Sequence, residues 1–199
     1  MTDLETIRVY DQQAEEYAQM TDTHNSDDPR LRDLIDACPR GGRVLDLGCG
    51  PGASAAALAK AGMQVDATDA SQEMVQMAAQ HPGVTAWQAT FDELDAIAPD
   101  TYDGIWANFS LLHAPRSDMP RHLAALRKAL KPGGVFFIGL KLGTGEKRDK
   151  IGRLYTYYTQ DELDTLLTGA GFTVQNHRFG SGPGLDGSMS DWISVACDG

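Results

Sequence analysis

Val44-Leu45-Asp46-Leu47-Gly48-Cys49-Gly50-Pro51-Gly52 reads as a buried apolar strand running straight into a glycine-rich turn, and an alanine-rich helix over 53–61 follows it. Glycines at such a turn adopt backbone angles closed to other residues and let a ligand approach main-chain atoms where a side chain would collide. Gly48, Gly50 and Ala53 also satisfy the G-x-G-x-x-G/A dinucleotide fingerprint, so the loop alone suits more than one adenosine-containing ligand. Asp69 follows about 20 residues later, at the end of the next strand, where a carboxylate accepts hydrogen bonds from both hydroxyls of a ribose.

Three features separate the possible ligands. Asp46 places a carboxylate beside the loop, which suits an ammonium group and repels a pyrophosphate. A long segment precedes the first strand, whereas dinucleotide domains commonly start almost at once, and nothing after the nucleotide half is large enough to serve as a separate catalytic domain for a hydride acceptor. The competing reading is that Asp46 and Asp69 only cap helices and the glycines only turn the chain.

Outward from the loop, short apolar runs alternate with helical stretches. The pattern predicts strands over 44–47, 64–68, 84–88, 104–107 and 135–140, and helices over 53–61, 72–79 and 119–130. Alternation of this kind implies parallel pairing through right-handed crossovers, with helices on both sheet faces. A helix over 160–170 precedes two further strands, 172–179 and 191–196, and Gly180-Ser181-Gly182-Pro183-Gly184 between them reads as a hairpin turn at the sheet edge. Before the first strand, Leu4, Ile7, Tyr10, Ala14 and Tyr17 recur at helical spacing over 3–20, a polar joint spans 21–28, and a short helix spans 29–37. Residues 1–40 are thus expected to be a helical lid segment on a ligand-binding domain over 41–199, one domain overall.

Composition narrows the function. A net charge of -11 argues against a nucleic-acid partner and for a small-molecule substrate. No apolar run is long enough to span a membrane, and the acidic N-terminus lacks the layout of a secretion signal, so a cytoplasmic location is expected. Cys38, Cys49 and Cys197 lack CxxC spacing, and no histidine pair has ligand spacing, so no metal site is expected.

Asp46-Leu47-Gly48-Cys49-Gly50-Pro51-Gly52, Thr68-Asp69-Ala70-Ser71 with Met74, Tyr102-Asp103, Ser110-Leu111-Leu112-His113 and Leu130-Lys131-Pro132-Gly133-Gly134 together resemble the class I S-adenosylmethionine-dependent methyltransferases, from about Tyr10 to Ala196. The resemblance implies an α/β, doubly wound, seven-stranded and mostly parallel sheet with one reversed strand near the edge, a Rossmann-like fold. It further implies that Asp46 and the loop Gly48, Cys49, Gly50 and Gly52 hold the methionine end of S-adenosylmethionine, that Asp69 holds the ribose, that Ala70 and Met74 meet the adenine, and that the Asn108 carbonyl faces the amino group. After the third strand the family often carries an Asp that accepts from the adenine amino group. Here the register puts Thr90 at that place, with the Phe91 N–H able to reach a ring nitrogen and Asp92 as the alternative.

Methyl transfer from a sulfonium needs alignment and desolvation more than acid–base help. If a base is used, His113 is the candidate, because it follows the fourth strand at the carboxyl edge of the sheet; the competing role is ordering the loop before Pro115. Tyr10 and Tyr17, two turns apart on the first helix, are read as a lid over the methionine end, Tyr17 toward the cofactor and Tyr10 toward the acceptor, or else as core staples. Lys141 and Arg153 bracket a glycine-containing loop leaving the fifth strand, expected to close over an anionic acceptor that Arg153 grips bidentately. The alternatives to an enzyme with a small-molecule acceptor are a non-catalytic S-adenosylmethionine-binding module or partner subunit and, on the glycine pattern, a nicotinamide-dependent reductase.

Overall fold

The computed structural model describes residues 2–21 and 28–199; the joint expected over 21–28 lies mostly outside them. In chain order the elements are α1 (Leu4–Gln12), α2 (Ala14–Thr21), α3 (Pro29–Ala37), β1 (Arg43–Leu47), α4 (Ala53–Lys60), β2 (Gln64–Asp69), α5 (Gln72–Ala78), β3 (Val84–Gln88), β4 (Tyr102–Asn108), α6 (Met119–Ala129), β5 (Leu130–Lys141), β6 (Glu146–Arg148), β7 (Leu154–Thr156), α7 (Gln160–Gly169), β8 (Thr173–Pro183) and β9 (Met189–Asp198). The main sheet has seven strands in the order β3-β2-β1-β4-β5-β9-β8. β1 to β5 pair in parallel, and β9 runs antiparallel to both β5 and β8. The doubly wound sheet with one reversed strand beside the edge is the expected architecture.

Both faces of the sheet are covered, which is why β1, β4 and β5 are nearly continuous apolar runs. One face packs Leu123 and Leu126 of α6 and Leu163 and Leu167 of α7 against Ile105, Phe136 and Ile138. The other packs Leu31 and Leu34 of α3 with Ala55, Leu58, Val65 and Trp106. The first 40 residues therefore divide: α3 belongs to the core, and only α1 and α2 are free to cover a site. Strand order reverses between β1 and β4, and ligands of open α/β sheets bind outside the carboxyl ends of the strands at such a point.

Three local expectations are corrected. The helix over 3–20 is broken at Gln13, whose dihedrals leave the helical region, and Leu4 faces solvent at 62% exposure while Thr6 is buried. Gly180-Ser181-Gly182-Pro183 do not turn but continue β8 opposite Trp192, Asp191, Ser190 and Met189. A Cβ on Gly180 would lie 2.2 Å from Trp192 Cζ2, so this glycine makes room for the indole, and the turn falls at 184–188, closed by Gly184 N–H to the Ser188 carbonyl at 2.8 Å. The loop bracketed by Lys141 and Arg153 contains β6, which pairs antiparallel with β7 just beyond it to form a two-stranded ribbon. Among the described residues no helix is long and apolar enough to cross a membrane.

Candidate active site

The turn after β1 is anchored to β2 by Gly48 N–H and Cys49 N–H, both donating to the Thr68 carbonyl at 2.7 and 2.9 Å. Gly48 has φ +70°, and a Cβ there would sit 2.3 Å from the Ser110 Cβ. Glycine is thus demanded by both backbone angle and packing. Gly52 takes the left-handed N-cap of α4. Gly48 and Gly50 line the cleft; Cys49, buried with its thiol on the Gly50 carbonyl, and Gly52 lie behind it.

Two carboxylates flank this turn. Asp69 accepts from Gly50 N–H and Ser71 N–H, both at 2.9 Å, which fixes it over the loop; burial raises its pKa nonetheless. Asp46 is 2% exposed, and one of its oxygens, Oδ2, is buried with no hydrogen-bond partner. Burial and then the neighbouring Asp69 push its carboxyl up to about 7. An unpaired buried carboxylate oxygen is costly, and a ligand ammonium would satisfy it.

From the loop the cleft runs past Ala70, Ser71 and Met74 at the start of α5, then Ala89, Phe91 and Asp92 after β3, and Phe109, Ser110 and His113 after β4. Thr90 is not among the lining residues. It caps the 3-10 turn that follows β3, its N–H and hydroxyl both donating to Glu93, and Asp92 faces the cleft in its stead. Asn108 is likewise set back, and Phe109, held at φ +55°, takes the wall position.

The roof is α1 and α2. Asp3, Thr6, Ile7 and Tyr10 line the cleft at helical spacing, and Tyr17 extends the lining over Gly50. The Tyr10 and Tyr17 rings meet edge to face at 5.3 Å. Asp11 accepts from the Ser71 hydroxyl at 2.5 Å, and the Leu154 N–H donates to the Thr6 hydroxyl at 2.8 Å, which ties the roof to α5 and to β7.

Tyr10 connects the roof to the floor. His113 Nδ1 lies 2.6 Å from the Leu154 carbonyl, which only accepts, so Nδ1 carries the proton; Nε2, 2.8 Å from the Tyr10 oxygen, accepts the phenolic hydrogen. Arg153 Nη1 donates to the same oxygen at 2.9 Å, and its Nε and Nη2 donate to Asp149. Burial lowers the His113 pKa to about 3. The one lone pair of this neutral imidazole is spent on Tyr10, so the expected general base is replaced by a clasp. Arg153 is corrected in the same way: it is 1% exposed, its fork is filled by Asp149, and it does not line the cleft. Lys141 stacks its ammonium 4.0 Å from the Tyr155 ring centre and lines a separate basin on the outer side of the ribbon.

Residues 44–134 match the family model described as a methyltransferase domain. That stretch, from β1 into β5, carries the methyltransferase-domain pattern. Its relatives include a ubiquinone biosynthesis O-methyltransferase of Xanthomonas campestris pv. campestris, 35% identical over 103 residues that cover 49% of this chain and 42% of that protein. An S-adenosyl-L-methionine-dependent Diels-Alderase of Talaromyces variabilis is 37% identical over 108 residues, 50% of this chain and 36% of that protein. The chain thus matches less than half the length of these curated relatives. The methyltransferase fold extends over nearly all of it: the Burkholderia thailandensis 1,6-didemethyltoxoflavin-N1-methyltransferase, solved with 1,6-didemethyltoxoflavin and S-adenosylhomocysteine, superposes with TM-score 0.79 at 22% identity, covering 98% of this chain and 87% of that one. The [4+2]-cyclase SpnF superposes with TM-score 0.67 at 22% identity, covering 85% and 79%.

As site residues the sequence pattern missed Asp3, Thr6, Asp118, Asp149 and His122. Each reaches the site through tertiary contacts, and only the α1 spacing of Asp3, Thr6 and Tyr10 left a readable trace.

Proposed function

We propose that this chain transfers the methyl group of S-adenosylmethionine to a small-molecule acceptor by in-line displacement. The observation that carries the reading is the unpartnered Asp46 oxygen, buried beside a glycine turn whose neighbouring Asp69 is fixed over the loop. Asp46 is suited to the cofactor's ammonium, Asp69 to its ribose, and Ala70, Met74 and Phe91 to its adenine. The bound cofactor supplies a methyl group activated on a sulfonium: the acceptor's lone pair forms the new bond to carbon, the carbon–sulfur bond breaks, and sulfur keeps the pair. The chain's part is to align and dry the reactants, with α1 and α2 closed over the cleft by the Tyr10–His113 clasp.

The lining supports a reading of the acceptor's charge class. Ile7, Leu47, Phe109, Ala114 and Pro115 are apolar, Asp3, Asp92 and Asp118 are acidic, and no Lys or Arg is present among the described lining residues. This favours a neutral or cationic acceptor over the anionic one suggested by Lys141 and Arg153. The three buried thiols, all free, suit a reducing compartment, and we place the chain in the cytoplasm.

Calorimetric titration with S-adenosylhomocysteine tests the cofactor site, with binding and a raised Tm expected. Turnover of S-adenosylmethionine across neutral and cationic metabolites tests the transfer. A second reading is supported by the named Diels-Alderase and cyclase likenesses: the cofactor is held without being consumed. Tight S-adenosylhomocysteine binding with no methylated product across the panel would favour it.

A further inference from the structure

The acceptor end of the cleft carries a group of side chains that neither the glycine loop nor the clasp uses. Asp92 opens the 3-10 turn after β3, Asp118 stands at the N-cap of α6, and His122 follows it by one turn on the same helix face. One carboxylate oxygen from each aspartate and one ring nitrogen of His122 lie within 4.8 Å of one another, and all three residues line the cleft. His122 is 2% exposed, and its Nδ1 is buried with no hydrogen-bond partner. A buried imidazole nitrogen left unpaired, on a ring that stands beside two carboxylates, lacks an explanation in packing alone, because buried polar atoms are normally satisfied. Asp92 is held in place by Arg121, behind the cleft wall, at 2.5 Å and by the Thr2 N–H and hydroxyl at 3.0 and 2.8 Å, support of the kind that orients a ligating carboxylate.

We propose that Asp92, Asp118 and His122 form a divalent-cation site facing the acceptor end of the cleft. Two carboxylates and one imidazole suit Mn²⁺, Fe²⁺, Co²⁺ or Zn²⁺ better than a soft monovalent metal. Three protein ligands leave coordination positions open toward the cleft, where oxygen donors of an acceptor, a hydroxyl or a carbonyl, complete the shell. The cation's use in acceptor binding rests on the methyltransferase reading; the site itself does not.

The test titrates the metal-stripped chain with MnCl₂, following the loss of the free Mn²⁺ resonance signal, and with ZnCl₂ by calorimetry, both without cofactor. One cation per chain in the micromolar range is expected, with a raised Tm. Asp118→Asn and His122→Gln each weaken binding at least about tenfold, whereas His177→Gln, remote from the cleft, leaves it unchanged. Asp118 is only partly buried, so its variant carries the test even if His122→Gln lowers stability. Absence of binding at millimolar Mn²⁺ and Zn²⁺, or binding that survives both substitutions, overturns the site. A chain that binds S-adenosylhomocysteine but no cation loses this proposal alone; one that binds the cation but not S-adenosylhomocysteine loses the methyltransferase reading alone.

Discussion

At the glycine-loop end of the cleft the polar groups come from a short stretch of chain and its parallel neighbour: backbone amides of the turn after β1, Asp46 on that strand and Asp69 at the end of β2. At the roof end they come from far apart, with Tyr10, His113, Asp149 and Arg153 converging from α1, the loop after β4 and the ribbon. The first end is held by the sheet whether or not a ligand is present. The second is held by side chains that satisfy one another, so its disruption should cost stability and closure, whereas disruption of the first should cost ligand affinity.

The largest effect is expected from Arg153→Ala. Asp149 is 7% exposed and pairs with Arg153 at 2.7 Å, so truncation leaves a buried carboxylate uncompensated and removes a donor from the Tyr10 oxygen. Breaking a buried pair in this way costs about 3–5 kcal/mol, read by urea unfolding. A loss below about 1 kcal/mol would mean that the ribbon is solvated and the clasp loose.

At the other end, Asp69→Ala should weaken S-adenosylhomocysteine binding by about 1.5–3 kcal/mol, the worth of hydrogen bonds to a charged group. Calorimetry checks it, and affinity within a factor of two of the parent would separate Asp69 from the ribose. The fold should persist, because β2 and α5 keep their packing through Val65, Ala67, Val75 and Ala78.

Asp46 sharpens the contrast through pH. Its carboxyl is raised to about 7 by burial and Asp69, so between its unfolded and folded pKa the native state holds a proton that the unfolded state has released. Its contribution to stability is therefore full below about pH 4 and is lost as pH rises through about 7. Affinity for an ammonium-bearing ligand moves the opposite way, since only the ionised carboxylate attracts it, and should rise from about pH 6 to 8. Asp46→Asn should flatten both profiles: the unliganded protein gains stability at pH 8, while binding there weakens about tenfold, or about 1.4 kcal/mol. Parallel, unflattened profiles would remove the ammonium from this site.

The same division explains what could be read from the sequence. Strand, glycine turn and acid at the next strand end are local or set by sheet register, so β1, α4, β2 and their parallel pairing followed from pattern. The turn at Gly180 was misplaced because its reason is Trp192, twelve residues away across a strand pair. Arg153 was misread because nothing near it in the pattern signals that Asp149 folds back onto its guanidinium in the interior. Thr90 was assigned by register, but its hydroxyl had a closer use in Glu93, a capping box recognisable from Thr90 and Glu93 alone.

The smallest expected effect tests how the roof is fastened. Thr6 is buried, accepts from the Leu154 N–H at 2.8 Å and donates to Asp3 at 2.5 Å; Asp3 caps α1 and pairs with Arg148 at 2.8 Å. Thr6→Val keeps the bulk and removes both bonds, leaving the Leu154 N–H unpaired. The cost is about 1 kcal/mol, or roughly fivefold in the closed-to-open equilibrium of the roof. It should appear in S-adenosylhomocysteine release, measured by stopped flow, as a roughly fivefold faster dissociation with association nearly unchanged, because ligands leave when such a lid opens. Arg148→Ala removes half-exposed bonds to Asp3, Glu5 and the Gly152 carbonyl but leaves the Leu154–Thr6 bond in place, and should change release by less. An unchanged release rate in Thr6→Val would place the fastening elsewhere, at Asp11 on Ser71, where Ser71→Ala should then show the acceleration that Thr6→Val lacked.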